Sequence, residues 1–125
     1  MEVLTAVVIA TLAVVGLAYS FGLGRSFIDR FEVARAALGV VEGRMDSLTT
    51  IPPTSTDLTI GLHPTTPLPF VYEGQAMGTE SWSVAWFDDP GTAGTHDMKR
   101  VTARVVWTQM GAADTVQQTR LFPIQ

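Results

Sequence analysis

An uncharged, apolar run from Val3 to Gly24 follows directly on a carboxylate, Glu2. As a helix this run covers roughly 33 Å, enough to cross a hydrocarbon layer of about 30 Å. Either lipid or closely packed apolar neighbours must therefore cover it, and neither medium welcomes a lone acid. A cleaved secretory signal would be shorter and led by basic residues. Ala18-Tyr19-Ser20 has the small residues of a cleavage site, but Glu2 carries the wrong charge for a signal's leading end. A plain membrane anchor fits the length. A third reading is a helix that first spans a membrane and later packs against copies of itself. Arg25, Arg30 and Arg35 all follow the run, so the positive-inside tendency puts the remainder in the cytoplasm unless a basic segment once preceded it.

The helical pattern continues past the run. Phe27, Phe31, Ala34, Leu38, Val41, Met45 and Leu48 recur at alternating steps of four and three, a stripe down one helical face. Charged residues occupy the other faces, with Arg25 and Asp29 four apart as a surface pair. Pro52-Pro53 ends the pattern, because proline lacks the amide donor and restrains the residue before it. One helix is thus expected from Glu2 to about Leu48, with Phe27, Phe31, Leu38, Val41 and Met45 packing under a carboxyl-terminal module. At roughly 70 Å it exceeds a compact domain of this size, so half of it is expected to project. Gly16, Gly22 and Gly24 interrupt the apolar half. Glycine costs about 1 kcal/mol against alanine in a helix interior, so Gly22 and Gly24 read as a flexible point.

The opening "MEVLTAVVIATLAVVGLAYSFGLG", with its early glutamate and the amphipathic stretch behind it, resembles the type IV pilin superfamily, which includes the pseudopilins of type II secretion. The ending "HDMKRVTARVVWTQMGAADTVQQTRLF" is similar to the last hairpin of short minor pilins and I-type pseudopilins. The resemblance implies an α+β fold, a long helix whose lower half lies on a small antiparallel sheet. It implies a structural subunit, a minor pilin or pseudopilin with a major pilin left open, held in the bacterial inner membrane and then polymerised into a periplasmic or extracellular filament. Its partners would be other pilin subunits, a leader peptidase and an assembly platform, and it would need no cofactor. In that family the glutamate meets the amino terminus of a neighbouring subunit, which gives Glu2 an assembly role and makes Met1 the candidate methylated terminus. The family's glutamate usually stands fifth in the mature chain and here stands second. Either mature residues precede Met1 or the lead-in is short.

The chain divides by composition into the apolar half-helix 1–24, the amphipathic half-helix 25–48, a Thr/Pro-rich connection 49–69 and a small sheet over 70–125. The connection leaves room for little regular structure beyond Leu58–Leu62, and its threonines are candidate glycan acceptors in an exported chain. Ser81–Phe87, Val101–Thr108 and Thr115–Phe122 read as strands, the second with a clear period of two. "QMGAAD" reads as the turn between the last two. Three or four such strands with one face on the helix would bury Trp82, Trp86 and Trp107.

Chemistry is sparse. Asp88, Asp89 and Asp97 in "DDPGTAGTHD" are the only calcium candidates, and their spacing departs from an EF-hand loop. His63 and His96 lack a second histidine at helical spacing, so no zinc site is expected. There is no cysteine, hence no disulfide. No nucleophile elbow or phosphate-cradling loop appears, so an enzyme is not expected. Both halves are mildly acidic, which gives no footprint for nucleic acid. The rival to a filament subunit is a membrane-anchored periplasmic binding module that never polymerises.

Overall fold

A computed structural model describes residues 1–88, 91 and 98–124. The fold is α+β, one long amino-terminal helix and a four-stranded antiparallel sheet. Helix α1 spans Glu2–Thr50 without a break, and a single 3-10 turn, Thr56–Leu58, follows Pro52-Pro53. The strands are β1 (Gly61–Tyr72), β2 (Gln75–Phe87), β3 (Met98–Gln109) and β4 (Ala112–Pro123), paired in chain order as a meander. By internal contacts the chain forms two compact units, Met1–Val33 and Ala34–Gln125.

Two tight hairpins set the register of the sheet. Glu73 (φ 48°) and Gly74 (φ 80°) join β1 to β2, with Tyr72 opposite Gln75. Met110 (φ 52°) and Gly111 (φ 79°) join β3 to β4, with Gln109 opposite Ala112. Positive φ at both central residues is the signature of a type I′ turn, whose twist matches that of the strands. A second glycine effect acts inside the sheet: a Cβ on Gly78 would stand 1.9 Å from the Val106 carbonyl oxygen. Only glycine lets β2 and β3 approach there.

The sheet positions start earlier than composition suggests. β1 opens at Gly61, inside the stretch assigned to a connecting loop over 49–69, so the boundary at 70 is wrong. Pro64, Pro67 and Pro69 lie within it, and its pairing with β2 shifts register between His63 and Leu68. An edge strand tolerates prolines because one side of it needs no ladder donors.

Period-two burial is clearest on β3, where Val101, Ala103, Val105 and Trp107 are all buried. From β2 the same core receives Trp82 and Val84, and from the ends of the sheet Phe70 and Phe122. Trp86, expected there with the other tryptophans, is 41 % exposed. It stands one step from the end of β2, opposite Lys99, whose ammonium lies 5.6 Å from its ring centre.

The helix buries the last part of the expected stripe, Val41, Met45 and Leu48, but departs from it further up. Ala37, Val41, Met45 and Leu48 are buried, whereas Leu38 is 42 % exposed. Leu38 stands about 100° round the helix from Ala37, and the small side chain, not the large one, occupies the closest approach. Phe27 and Phe31, also expected to pack on the sheet, lie in the other compact unit and are exposed. Val41 and Met45 are fully buried.

Candidate functional site

In the first unit the sequence leaves apolar side chains facing outward on every side. Val3, Leu4, Val7, Ile9, Leu12, Val14, Leu17, Tyr19 and Phe21 are all exposed. Only the polar groups are looked after locally. Thr5 and Thr11 turn their hydroxyls back onto the carbonyls of Met1 and Val7, at 3.0 and 2.8 Å. A hydroxyl bonded within its own helix leaves no polar group seeking water, which suits an apolar medium. Glu2 occupies the first turn, where the positive end of the helix favours a carboxylate. Met1 precedes the helix and accepts the Thr5 amide at 3.2 Å. Gly22 and Gly24 lie within unbroken α-helix, with open space where their side chains would be. The segment is long and apolar enough to cross a membrane.

Exposure does not stop where the charges begin. Phe27, Ile28 and Phe31, interleaved with Arg25, Asp29, Arg30 and Glu32, are 57 %, 59 % and 74 % exposed. Few soluble surfaces leave two phenylalanines and an isoleucine uncovered within five residues.

In the second unit the polar side chains serve the fold. Glu80 is 7 % exposed and accepts from Arg44 Nε at 2.5 Å. The Arg44 guanidinium also lies over Trp82, 4.8 Å from the ring centre. Trp82 donates from its indole nitrogen to the Asp57 carbonyl at 2.9 Å, and His63 stacks on the same ring. Sequence reasoning missed this set, although Glu80 keeps the phase of Trp82 and Val84. A carboxylate in register with core residues calls for a cation, and Arg44 on α1 supplies it.

Lys99 is the other centre. Its ammonium donates to the carbonyls of Pro53 and Leu58, at 3.0 and 2.8 Å. It borders a hollow of about 250 Å³ walled by Leu48, Ile51, Leu58, Leu121 and Phe122, with Arg120 at its margin. Arg120 is itself engaged with Asp46 at 3.0 Å. The hollow could take a small apolar group, with Thr49, Lys99 and Arg120 as its polar border.

Of the calcium candidates, Asp88 is exposed, and Asp89 and Asp97 lie outside the described residues, as does His96. Among the described residues no three His, Cys, Asp or Glu side chains gather as a metal site would need. Trp107 Nε1, Gln109 Oε1 and Gln118 Oε1 are buried without a hydrogen-bond partner among the described residues. Comparison with protein-family models, curated proteins and solved structures finds no match to this chain.

Proposed function

We propose that the chain is a structural subunit of a type IV pilin-like filament, a minor pilin or pseudopilin by its short head. It is held in the bacterial inner membrane by the first part of α1 and then polymerises through that helix into a periplasmic or extracellular fibre. The observation that supports this most is the apolar exposure of Phe27, Ile28 and Phe31 beyond the first arginine. A simple anchor ends its apolar surface where the charges start, since lipid covers nothing further out. Helices packed side by side would cover those three residues as well. In such a dry interior Glu2 would face the terminal amine of a neighbour, where the attraction is far stronger than in water. Gly22 and Gly24 would be the stretch that loosens once the helix leaves lipid, as backbone groups there no longer need complete shielding.

The hollow beside Lys99 favours a second reading, an anchored binding module that never polymerises. One experiment separates the two. Glu2→Ala, expressed with its native leader, is compared with the parent in membrane and sheared-filament fractions, following this chain itself. The filament reading expects normal membrane levels and loss from the filament fraction, because every added subunit would bury an unpaired amine. Parent chain absent from filaments, or mutant present at parent levels, overturns it.

A further inference from the structure

Charge is divided unevenly between the two faces of the sheet. The carboxylates of the strands, Glu80 and Asp114, both lie on the helix side, Glu80 in phase with Trp82 and Asp114 opposite Trp107. Lys99 and Arg120 lie on that side too, engaged with the Pro53 and Leu58 carbonyls and with Asp46. Arg100 and Arg104 alternate with the buried Val101, Ala103 and Val105, so they stand on the outer face, where both are exposed. Neither makes a hydrogen bond or ion pair among the described residues. A chain of net charge −4 thus presents a strand surface with positive charge and no carboxylate.

Around Arg104 this face is hollowed. Ser81, Arg104 and Gln117 form one rung across β2, β3 and β4, and Ser83, Thr102 and Thr119 form the next on the same face. β1 sets Leu62 beside Ser83, but between His63 and Leu68 it bulges, with residues 64–67 set against Ser81 alone. The result is a hollow of about 210 Å³ lined by Leu62, Ser81, Ser83, Thr102, Arg104 and Gln117. Ser81 is 8 % exposed, and its hydroxyl has no partner among the described residues. Thr102 and Thr119 share one hydrogen bond at 2.9 Å, which leaves each oxygen further capacity.

This donor set selects among anions. One guanidinium suits one carboxylate, held through two parallel N–H donors. Serine, threonine and glutamine side chains each donate and accept, as a row of sugar hydroxyls requires. Free phosphate is served less well, because the backbone amides that would cradle it are used in the strand ladders. An acidic peptide would add at a sheet edge and not lie across a face. We propose that the hollow binds a carboxylated sugar, a hexuronate unit of an acidic polysaccharide, with Arg104 on its carboxylate and Ser81, Ser83, Thr102 and Gln117 on its hydroxyls. Arg100, roughly 13 Å along the same strand, meets the carboxylate of a further unit. The inference goes beyond the filament reading and does not depend on it.

The full chain in detergent micelles is titrated calorimetrically with an oligomer of galacturonic acid at physiological salt. Neutral maltotriose and inorganic phosphate are the comparisons. Saturable binding is expected for the uronate alone. Arg104→Gln should weaken it at least about tenfold, by loss of charge-assisted hydrogen bonds, and Ser83→Ala about twofold to tenfold. Arg35→Gln removes the same charge from an exposed position on α1 and should leave the affinity unchanged. Arg104, Ser83 and Arg35 are all exposed, so melting followed by Trp82 and Trp107 emission should match the parent in each variant. No saturable uronate binding, equal binding of maltotriose, displacement by equimolar phosphate, Ser83→Ala without effect, or an equal loss in Arg35→Gln would each overturn the assignment.

Discussion

Replacing Leu38 by alanine, with Met45→Ala as the reference for a fully buried position, tests which residues of α1 face the sheet. Met45 is fully buried and ranks among the largest side chains with no exposed surface. Truncating it removes three heavy atoms beyond Cβ, about 2.4 kcal/mol of transfer free energy at ~0.8 kcal/mol per group. The void left behind adds to this, giving about 3 kcal/mol, inside the range of about 2–5 kcal/mol for such core truncations. Leu38→Ala also removes three heavy atoms, but Leu38 is 42 % exposed and opens no enclosed cavity. Scaled by its burial the loss is about 1.4 kcal/mol, an upper estimate. For a unit of this size each kcal/mol moves the melting midpoint by about 4–8 °C. Met45→Ala should therefore melt at least about 12 °C lower, and Leu38→Ala at most about 11 °C lower than the parent. The assay is the emission of the buried Trp82 and Trp107 against temperature, with the full chain in detergent micelles so that the apolar helix stays covered. If Leu38→Ala is as damaging as Met45→Ala, Leu38 packs on the sheet as the 4-3 stripe implies and its exposure described above is wrong.

Gly78→Ala should destabilise the sheet by at least ~3 kcal/mol, because the new methyl meets backbone on β3 and cannot be relieved by turning a side chain. Gly43→Ala, with open space at its Cβ and a helical backbone, should instead stabilise by about 0.5–1 kcal/mol. Urea midpoints of the two variants should move in opposite directions, and a shift of the same sign in both would refute the glycine assignments. Lys99→Met should cost about 1–3 kcal/mol by leaving the Pro53 and Leu58 carbonyls without their donor. Unchanged denaturant resistance in that variant would show that water replaces the ammonium at no cost.

The parts of the fold legible in the sequence are those whose pattern has a single cause. The uncharged run and Pro52-Pro53 bracket α1, and the strict alternation of Val101 to Trp107 places β3 against a core. β1 was hidden because an edge strand rich in threonine and proline, exposed over most of its length, shows no alternation. Glu73-Gly74 marked its end, as Met110-Gly111 marks the end of β3, but only the second turn lay between recognisable strands. Ala37 was overlooked because hydrophobic spacing weights bulk, whereas close helix–sheet contact favours a small side chain. Trp86 keeps the phase of Trp82 and Val84, yet alternation says nothing about how far along a strand the cover extends. The assembly role expected of Glu2 rests on resemblance alone, since one exposed carboxylate in a first turn carries no geometry of its own.

Three carbonyls between the helix and the sheet are held by side chains from inner strands: Pro53 and Leu58 by Lys99 of β3, and Asp57 by Trp82 of β2. The covalent path from α1 leads first to β1, an edge strand. Tension along that path alone would peel the sheet one rung at a time from its weakest border. The three side-chain ties divert the load into the middle of the sheet, where rupture requires many ladder bonds to slide together. A connection whose composition suggests a slack tether therefore behaves as a mechanical coupling, and a pull on the last turns of the helix is borne by the central strands.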